Sequence, residues 1–283
     1  MKRTTIMSTM LLTIFSAATS YAACTAINSL PKTISSSGNY CLTGNMTTTT
    51  TGTAISINAS NVVLDLADFE IRNTQTGSGA GIGYNGVNGQ IRNIAIRNGR
   101  VIGFNNGVMF HRPGTGGENV ASNVLIEGVT VVHNTGGAEP FDYPDQGIHI
   151  DSHSLIVRNC SVDSSSTGGA SIAVIGNGVS VINNDVFNPG GDGITTSGGQ
   201  GAGTPTQAYL IENNRVIAAS AQGGAGISVP TENVIVKNNS IISMSTGVYF
   251  DGGLNKGLYR DNSTVNCAIP YDAPLAFDGG GNK

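Results

Sequence analysis

The sequence predicts an all-β fold, a single-stranded parallel β-helix of about eight coils. The first observation is composition: 40 of the 283 residues are Gly, and Gly, Asn, Ser, Thr, Val and Ile outnumber the strong helix formers. That balance favours strands and turns. The second observation is a repeat, because a small residue followed by apolar, variable and apolar residues returns every 21 to 40 residues. Short strands at this interval are typical of a solenoid in which each coil pairs with the next.

The first element is a predicted signal peptide, residues 1–22. Lys2 and Arg3 precede an apolar run, and the small residues Ser20 and Ala22 frame the expected cleavage site, as in secretory leaders. We therefore expect a secreted or periplasmic protein.

The second element is a predicted cap segment, residues 23–53. Four Cys in an exported chain favour at least one disulfide, because the destination is oxidising. Cys24 and Cys41 lie close together in the cap segment and are predicted to pair. Cys160 and Cys267 are separated by several coils and are left unpaired.

The β-helix itself is predicted over residues 54–267, and a short tail over 268–283. The eight repeated strand motifs begin at Ala54, Gly81, Gly107, Gly147, Ser171, Gly193, Gly226 and Gly247. Most coils also carry a second segment that reaches an Asn turn, at Asn98, Asn159, Asn183, Asn213 and Asn238. A side-chain amide both donates and accepts, so stacked Asn residues can bond the coils above and below.

Charged residues beside these turns predict ion pairs between coils. Glu70 aligns with Arg100, and Glu127 aligns with both Arg97 and Arg158. Neighbouring strands lie about 4.8 Å apart, which brings stacked side chains into contact. Two further predicted pairs are Asp185 with Arg215 and Glu212 with Lys237. We interpret these charges as solvated pairs and not as functional groups.

The cap segment and first coil also carry a resemblance to a known family. Its residues are Leu30-Pro31-Lys32-Thr33-Ile34, Gly38-Asn39-Tyr40-Cys41-Leu42 and Asn61-Val62-Val63-Leu64-Asp65-Leu66. With this opening, the chain resembles secreted bacterial right-handed parallel β-helix proteins of the pectin lyase-like superfamily, over residues 24–267. The resemblance implies the right-handed sense, which the rule for parallel crossovers also favours. The superfamily includes polysaccharide lyases, hydrolases, epimerases, adhesins and phage fibres, so it implies a polysaccharide partner without fixing the activity.

Outward positions of the aligned coils bring ionisable residues together. His149 and Asp151 are alternate residues of one predicted strand and hence about 7 Å apart, and His111 aligns with Asp151 from the preceding coil. Titratable groups this close shift one another's pKa values, which acid–base catalysis requires. We predict His149, Asp151 and His111 as catalytic residues, assisted by Asp145 and Asp192.

Long connections on both sides of this region predict a walled groove. The extra residues are Arg112–Asn119 and Gly198–Thr206, with a long stretch from Gly128 to Gly147 on the opposite flank. The predicted substrate-binding residues are Arg112, Asp142, Tyr143, Tyr249 and Asp251.

Two reactions fit these residues. An inverting glycoside hydrolase uses two carboxylates roughly 6.5–9.5 Å apart, for which Asp145, Asp192 and Asp151 are candidates. A uronate lyase or epimerase uses a base such as His149 to remove the proton at C5, with Arg112 or Ca²⁺ neutralising the sugar carboxylate. The paired-Asp motifs of polygalacturonases and the Arg-rich motif of pectate lyases are not present as sets.

The alternative class is a non-catalytic glycan-binding or structural surface protein, with Tyr143, Tyr249 or Asp251 as contacts. An enzyme requires its ionisable residues to converge, whereas a binding module tolerates their dispersal. The formal charge of −4 argues against nucleic acid as a partner,. No segment after residue 22 approaches the roughly 20 apolar residues of a membrane span. No residue is assigned as a metal ligand, and Ca²⁺ is a candidate cofactor only for the lyase or epimerase.

Overall fold

The computed structural model describes residues 23–75, 79–84, 89–111, 120–133, 146–164, 169–197, 208–251 and 257–283. Within these ranges the regular secondary structure consists of strands, and their pairings are parallel. The described residues contain no helix that is long and apolar enough to cross a membrane. The predicted all-β, parallel architecture is confirmed.

The strands follow one another at short intervals along the chain. In chain order they are β1 (Thr25–Ile27), β2 (Lys32–Ile34), β3 (Gly38–Leu42), β4 (Met46–Thr48), β5 (Ile55–Ile57), β6 (Val62–Asp65), β7 (Glu70–Asn73), β8 (Ala80–Tyr84), β9 (Ile91–Ile102), β10 (Asn106–Phe110), β11 (Ala121–His133), β12 (Ile148–Arg158), β13 (Ser161–Ser164), β14 (Ile172–Ile175), β15 (Val179–Ile182), β16 (Asp185–Phe187), β17 (Ile194–Ser197), β18 (Tyr209–Glu212), β19 (Arg215–Val229), β20 (Val234–Lys237), β21 (Ser240–Phe250), β22 (Leu258–Arg260), β23 (Ser263–Val265), β24 (Ile269–Asp272) and β25 (Phe277–Asp278).

These strands stack into three faces of a solenoid. Face A contains β2, β5, β8, β10, the start of β12, β14, β17, the ends of β19 and β21, and β24. Face B contains β1, β3, β6, the starts of β9 and β11, the end of β12, β15, β18, β20, β22 and β25. Face C contains β4, β7, the ends of β9 and β11, β13, β16, the starts of β19 and β21, and β23. Long strands such as β9 bend from one face to the next.

The core is filled by the apolar residues of the repeat. On face A the inward column is 0% exposed throughout and consists of Ile55, Ile82, Val108, Ile148, Ile172, Ile194, Ile227 and Val248. The small residue before each strand is required by close packing. A Cβ on Gly147 would lie 2.3 Å from Cγ1 of Val162 and 2.6 Å from the backbone oxygen of Ser171. The repeated Gly therefore lies where a side chain would clash with a core residue and with the backbone of the next coil.

The Asn pairs divide into two roles. The first Asn of a pair, such as Asn183 at φ 56°, adopts the left-handed conformation that turns the chain, which Asn tolerates well. The second is buried and joins the coils: Asn184 Nδ2 donates to Asn214 Oδ1 at 2.9 Å, and Asn214 Nδ2 donates to Asn239 Oδ1 at 3.0 Å. Through Asn262 this amide ladder continues to Asn282.

The predicted ion pairs between coils are present. Glu127 contacts Arg158 at 2.7 Å and Arg97 at 3.8 Å, and Arg100 lies 3.7 Å from Glu70. The two remaining pairs, Arg215 with Asp185 and Lys237 with Glu212, measure 2.8 and 3.0 Å. These contacts confirm the coil alignment from which the site residues were predicted.

The parallel pairing extends beyond residues 54–267 at both ends. In the predicted cap segment, β2 and β3 already pair with the first full coil. In the predicted tail, β24 and β25 pair with the coil before them, so residues 268–283 continue the stack and do not lie outside it. Cys24 and Cys41 form the predicted disulfide, with Cα atoms 5.8 Å apart, while Cys160 and Cys267 are free.

Candidate functional site

Strand register on face A brings three ionisable side chains together. Val108 pairs with Ile148 and Phe110 with Ile150, so His111, the next residue after Phe110, lies beside Asp151 of the following coil. Because Ile148 and Ile150 fill the core, the alternate residues of β12, His149 and Asp151, project from the opposite side of the strand.

The three side chains form a compact cluster, here called the His–Asp–His cluster. His111 Nδ1 lies 2.6 Å from Asp151 Oδ2, and His149 Nε2 lies 3.1 Å from Asp151 Oδ1. The two imidazole rings are stacked, with centroids 4.7 Å apart and planes inclined by 21°. The carboxylate is therefore held by two rings that come from adjacent coils.

Burial sets the electrostatics of the cluster. His111, His149 and Asp151 are 2%, 1% and 0% exposed, and they are thus more deeply buried than residues on or near the floor of the predicted walled groove would be. Burial raises the pKa of Asp151, but hydrogen bonds and charge interactions with the two imidazoles outweigh it and leave that pKa below its ordinary value. The carboxylate is thus an anion whose recorded partners are both imidazoles.

The hydrogen bond to Asp151 fixes which ring nitrogen of His111 carries the proton when that imidazole is neutral. An ionised carboxylate only accepts, so His111 Nδ1 must donate to Asp151 Oδ2,. The lone pair of neutral His111 is then on Nε2, the nitrogen that faces away from the carboxylate. His149 approaches the other carboxylate oxygen with its Nε2 atom at 3.1 Å.

Tyr209 is a neighbour that the sequence pattern did not reveal. It is 3% exposed, and its hydroxyl accepts a hydrogen bond from the backbone N–H of Gly176 at 3.0 Å. Burial raises the pKa of Tyr209 to about 12, and the charge of Asp151 contributes to the rise. Tyr209 comes from β18 on face B, and only the folded coil brings it near Asp151.

The other predicted catalytic residues are not part of the cluster among the described residues. Asp192 lies just before β17, and its Oδ1 accepts a hydrogen bond from the backbone N–H of Ala225 at 2.8 Å. It shapes the turn into β17, two strands along face A from β12. Asp145 falls outside the described residues, as do the predicted substrate-binding residues Arg112, Asp142 and Tyr143.

Tyr249 and Asp251 lie on face A but far from the cluster. The outward column runs from His149 through Ala173, Thr195 and Ser228 to Tyr249. Four strand steps of about 4.8 Å separate its ends, or about 19 Å. Small and hydroxyl-bearing side chains thus form a strip between the cluster and an aromatic ring, and Asp251 follows at the exposed end of β21.

The cluster also offers the donor types of a metal site. His111, His149 and Asp151 each present one ligand atom, and these atoms lie within 4.8 Å of one another. Two imidazoles and a carboxylate suit zinc or iron, whereas Ca²⁺ takes six to eight oxygen ligands. Among the described residues, the cluster therefore fits a first-row transition metal better than Ca²⁺.

The fold has solved relatives, although no protein-family model matches the chain and no curated protein sequence does. The A-module of an Azotobacter vinelandii mannuronan C-5 epimerase is 16% identical, with a TM-score of 0.51 over 87% of this chain and 71% of that one. Pectate lyase Pel9A is 13% identical, with a TM-score of 0.52 over 84% of this chain and 69% of that one. The chain therefore shares the parallel β-helix fold of these two proteins.

Proposed function

We propose that this protein acts on a polysaccharide, and that the His–Asp–His cluster removes a proton from a ring carbon of a uronic sugar, as a lyase or an epimerase does. The observation that carries the proposal is the buried Asp151 carboxylate, with one imidazole hydrogen-bonded to Oδ2 and a second imidazole 3.1 Å from Oδ1. A carboxylate in this position orients an imidazole base and stabilises the imidazolium that forms when the base takes up a proton.

The same arrangement argues against a two-carboxylate hydrolase. An inverting glycosidase needs a carboxylic acid and a carboxylate on either side of the bond to be cleaved. Among the described residues, Asp151 is the single carboxylate of the cluster, and Asp192 is bonded to the backbone N–H of Ala225. Proton abstraction by an imidazole therefore needs only the residues of the cluster, whereas two-carboxylate hydrolysis needs a further carboxylate such as that of Asp145.

Further support comes from the surface around the cluster and from the relatives of the fold. The strip Ala173, Thr195 and Ser228 forms a path of small side chains along face A toward Tyr249, with Thr195 and Tyr249 half-buried and the other two at most 8% exposed. An aromatic ring at the end of such a path can stack against the apolar side of a sugar. Two solved relatives with TM-scores above 0.5 are an epimerase and a lyase, and the Cys24–Cys41 disulfide is consistent with export to an oxidising compartment,.

The first test is a panel of uronate polysaccharides, including alginate, polygalacturonate and hyaluronan, with and without Ca²⁺. Ultraviolet absorbance of unsaturated ends detects a lyase, and deuterium uptake from solvent at C5 detects an epimerase. His149→Ala and Asp151→Asn should each lower the rate by about 100-fold or more, because both remove part of the acid–base unit.

The matched control is His153→Ala, since His153 lies on β12 but is half-buried and outside the cluster. Its rate should stay within a factor of about two of the wild type. Full activity in His149→Ala and Asp151→Asn would contradict the proposal. New reducing ends without unsaturation would replace it with hydrolysis.

A second candidate function is glycan binding on face A without turnover. It is favoured by the burial of the cluster, which is at most 2% exposed, in contrast to the half-buried Tyr249 and exposed Asp251. A polysaccharide that binds tightly to the wild type, is not turned over, and loses affinity in Tyr249→Ala but not in His149→Ala would establish this function in place of catalysis.

A further inference from the structure

A concave site lies on face B near the N-terminal end of the solenoid. Its cavity of about 590 Å³ is lined by residues of β3, β6 and β9 and of the turn after β6. That volume is within the range of small-molecule sites. The His–Asp–His cluster belongs to face A, so the two sites use different surfaces of the molecule.

Arg97 lines this cavity with a cationic side chain. Its Nε atom is buried without a hydrogen-bond acceptor among the described residues, and Glu127 approaches it only to 3.8 Å. The side chain as a whole is 41% exposed, so the guanidinium group offers hydrogen-bond donors to a ligand in the cavity.

Two carboxylates lie on the same cavity as acceptors. Asp65 is fixed in place, since its Oδ1 accepts hydrogen bonds from Ala67 N at 2.8 Å and from Asn98 Nδ2 at 3.4 Å. Asp68 is exposed at the cavity wall. Both Ala67 and Asp68 adopt left-handed backbone conformations, at φ 51° and 63°, which is uncommon for successive residues other than Gly.

We propose that this cavity binds an uncharged saccharide and is a glycan-binding site separate from the site on face A. An anionic ligand would meet the carboxylates of Asp65 and Asp68, and a cationic ligand would meet the guanidinium of Arg97. A sugar hydroxyl both donates and accepts, so neighbouring hydroxyls match a surface that combines these groups. The side chains of Val63 and Ala67 supply apolar contacts for the C–H groups of the ring.

The test is calorimetric titration of the purified protein with cellohexaose, maltohexaose and mannohexaose, and with tetragalacturonate as the charged comparison. At least one uncharged hexaose should bind. Arg97→Ala and Asp68→Asn should each weaken that binding about tenfold or more, since each removes a hydrogen bond to a charged group. Asn is suited to position 68 because it tolerates the left-handed conformation.

Arg92→Ala is the matched control, because Arg92 is an exposed residue of β9 that does not line the cavity. It should leave binding unchanged, and so should His149→Ala, which separates this site from the proposed activity on face A. The inference is overturned if none of the uncharged hexaoses binds at millimolar concentration, if tetragalacturonate alone binds, or if Arg97→Ala and Asp68→Asn bind as well as the wild type.

Discussion

At the scale of single residues, Asp151 couples the stability of the fold to pH. Its pKa is lowered in the folded state, so its contribution to the free energy of unfolding is present above the ordinary value of 3.8 and is lost as the pH falls through the lowered pKa,. Asp151→Asn should destabilise the protein by about 3 kcal/mol at neutral pH, because it removes a buried carboxylate that is hydrogen-bonded to His111,. The difference from the wild type should shrink below pH 3.8.

Urea unfolding of both proteins at several pH values measures this difference. A constant difference from neutral pH to pH 3 would mean that Asp151 is not an anion in the folded state. His153→Ala again serves as the control, since it leaves the carboxylate and both of its imidazole partners in place.

The sequence predicts which cluster residues are neighbours, but not how deeply they are buried. Alignment of the repeat places His111 beside Asp151 because strand register fixes the order of Cα atoms. The exposure of these side chains also depends on the segments that connect the strands, and the repeat does not predict the conformation of those segments. Asp192 illustrates a second limit: a carboxylate near a predicted groove also suits a turn, and here it accepts the N–H of Ala225. Tyr209 was missed because it comes from another face.

At the scale of the secondary-structure elements, the amide ladder joins the coils. Asn214 is 1% exposed, accepts the N–H and Nδ2–H of Asn184, and donates to Asn239 and to the backbone oxygen of Val181. Asn214→Ala should therefore lower the free energy of unfolding by about 3 kcal/mol, since it leaves buried polar groups without partners.

Asn213→Gly is the matched control for this prediction. Asn213 is exposed and has φ 56°, a conformation that Gly adopts without strain. Its effect should stay below about 1 kcal/mol in the same denaturant experiment. Equal losses in the two variants would mean that the ladder does not stabilise the stack.

The Asn turns could be recognised in the sequence. The different roles of the two residues in each Asn-Asn pair could not. Both residues of an Asn-Asn pair have the same chemistry, and only the backbone decides which one turns the chain and which one enters the ladder. The ion pairs could be predicted more fully. Once the coils are aligned, opposite charges on adjacent coils indicate an ion pair.

At the scale of the whole molecule, the Cys24–Cys41 disulfide clamps the N-terminal end of the stack. Its loss should destabilise that end by about 3 kcal/mol, the value for a loop of about this length, which here spans 17 residues. Each coil contacts mainly its neighbours, so the loss should act locally. In a Cys24→Ser/Cys41→Ser variant, hydrogen exchange should quicken in β1–β4 and stay slow in β18–β22.

Cys267→Ser is the control, because Cys267 is half-buried and free. A uniform increase in exchange along the whole chain would contradict this local effect and indicate cooperative unfolding of the stack.

The sequence predicts the class of fold well and its ends less well. Eight strand motifs identify the middle of face A, since their small and apolar residues repeat. The outer strands β2 and β24 pair in the same way but lack the small residue that marks the motif. A strand at the end of a stack packs against one neighbouring coil, whereas Gly147 lies between two coils and is held close to Val162 and Ser171.

Because successive coils are joined by the same hydrogen bonds, the solenoid can be lengthened or shortened by one complete coil at a time. Asn184, Asn214, Asn239 and Asn262 each donate from Nδ2 to the next coil and accept on Oδ1 from the preceding one. A gene duplication or deletion that adds or removes one complete turn would therefore meet a matching partner on either side. Such a change would lengthen or shorten the strip between the His–Asp–His cluster and Tyr249 by about 4.8 Å, while the register of the strands that hold the cluster would stay the same.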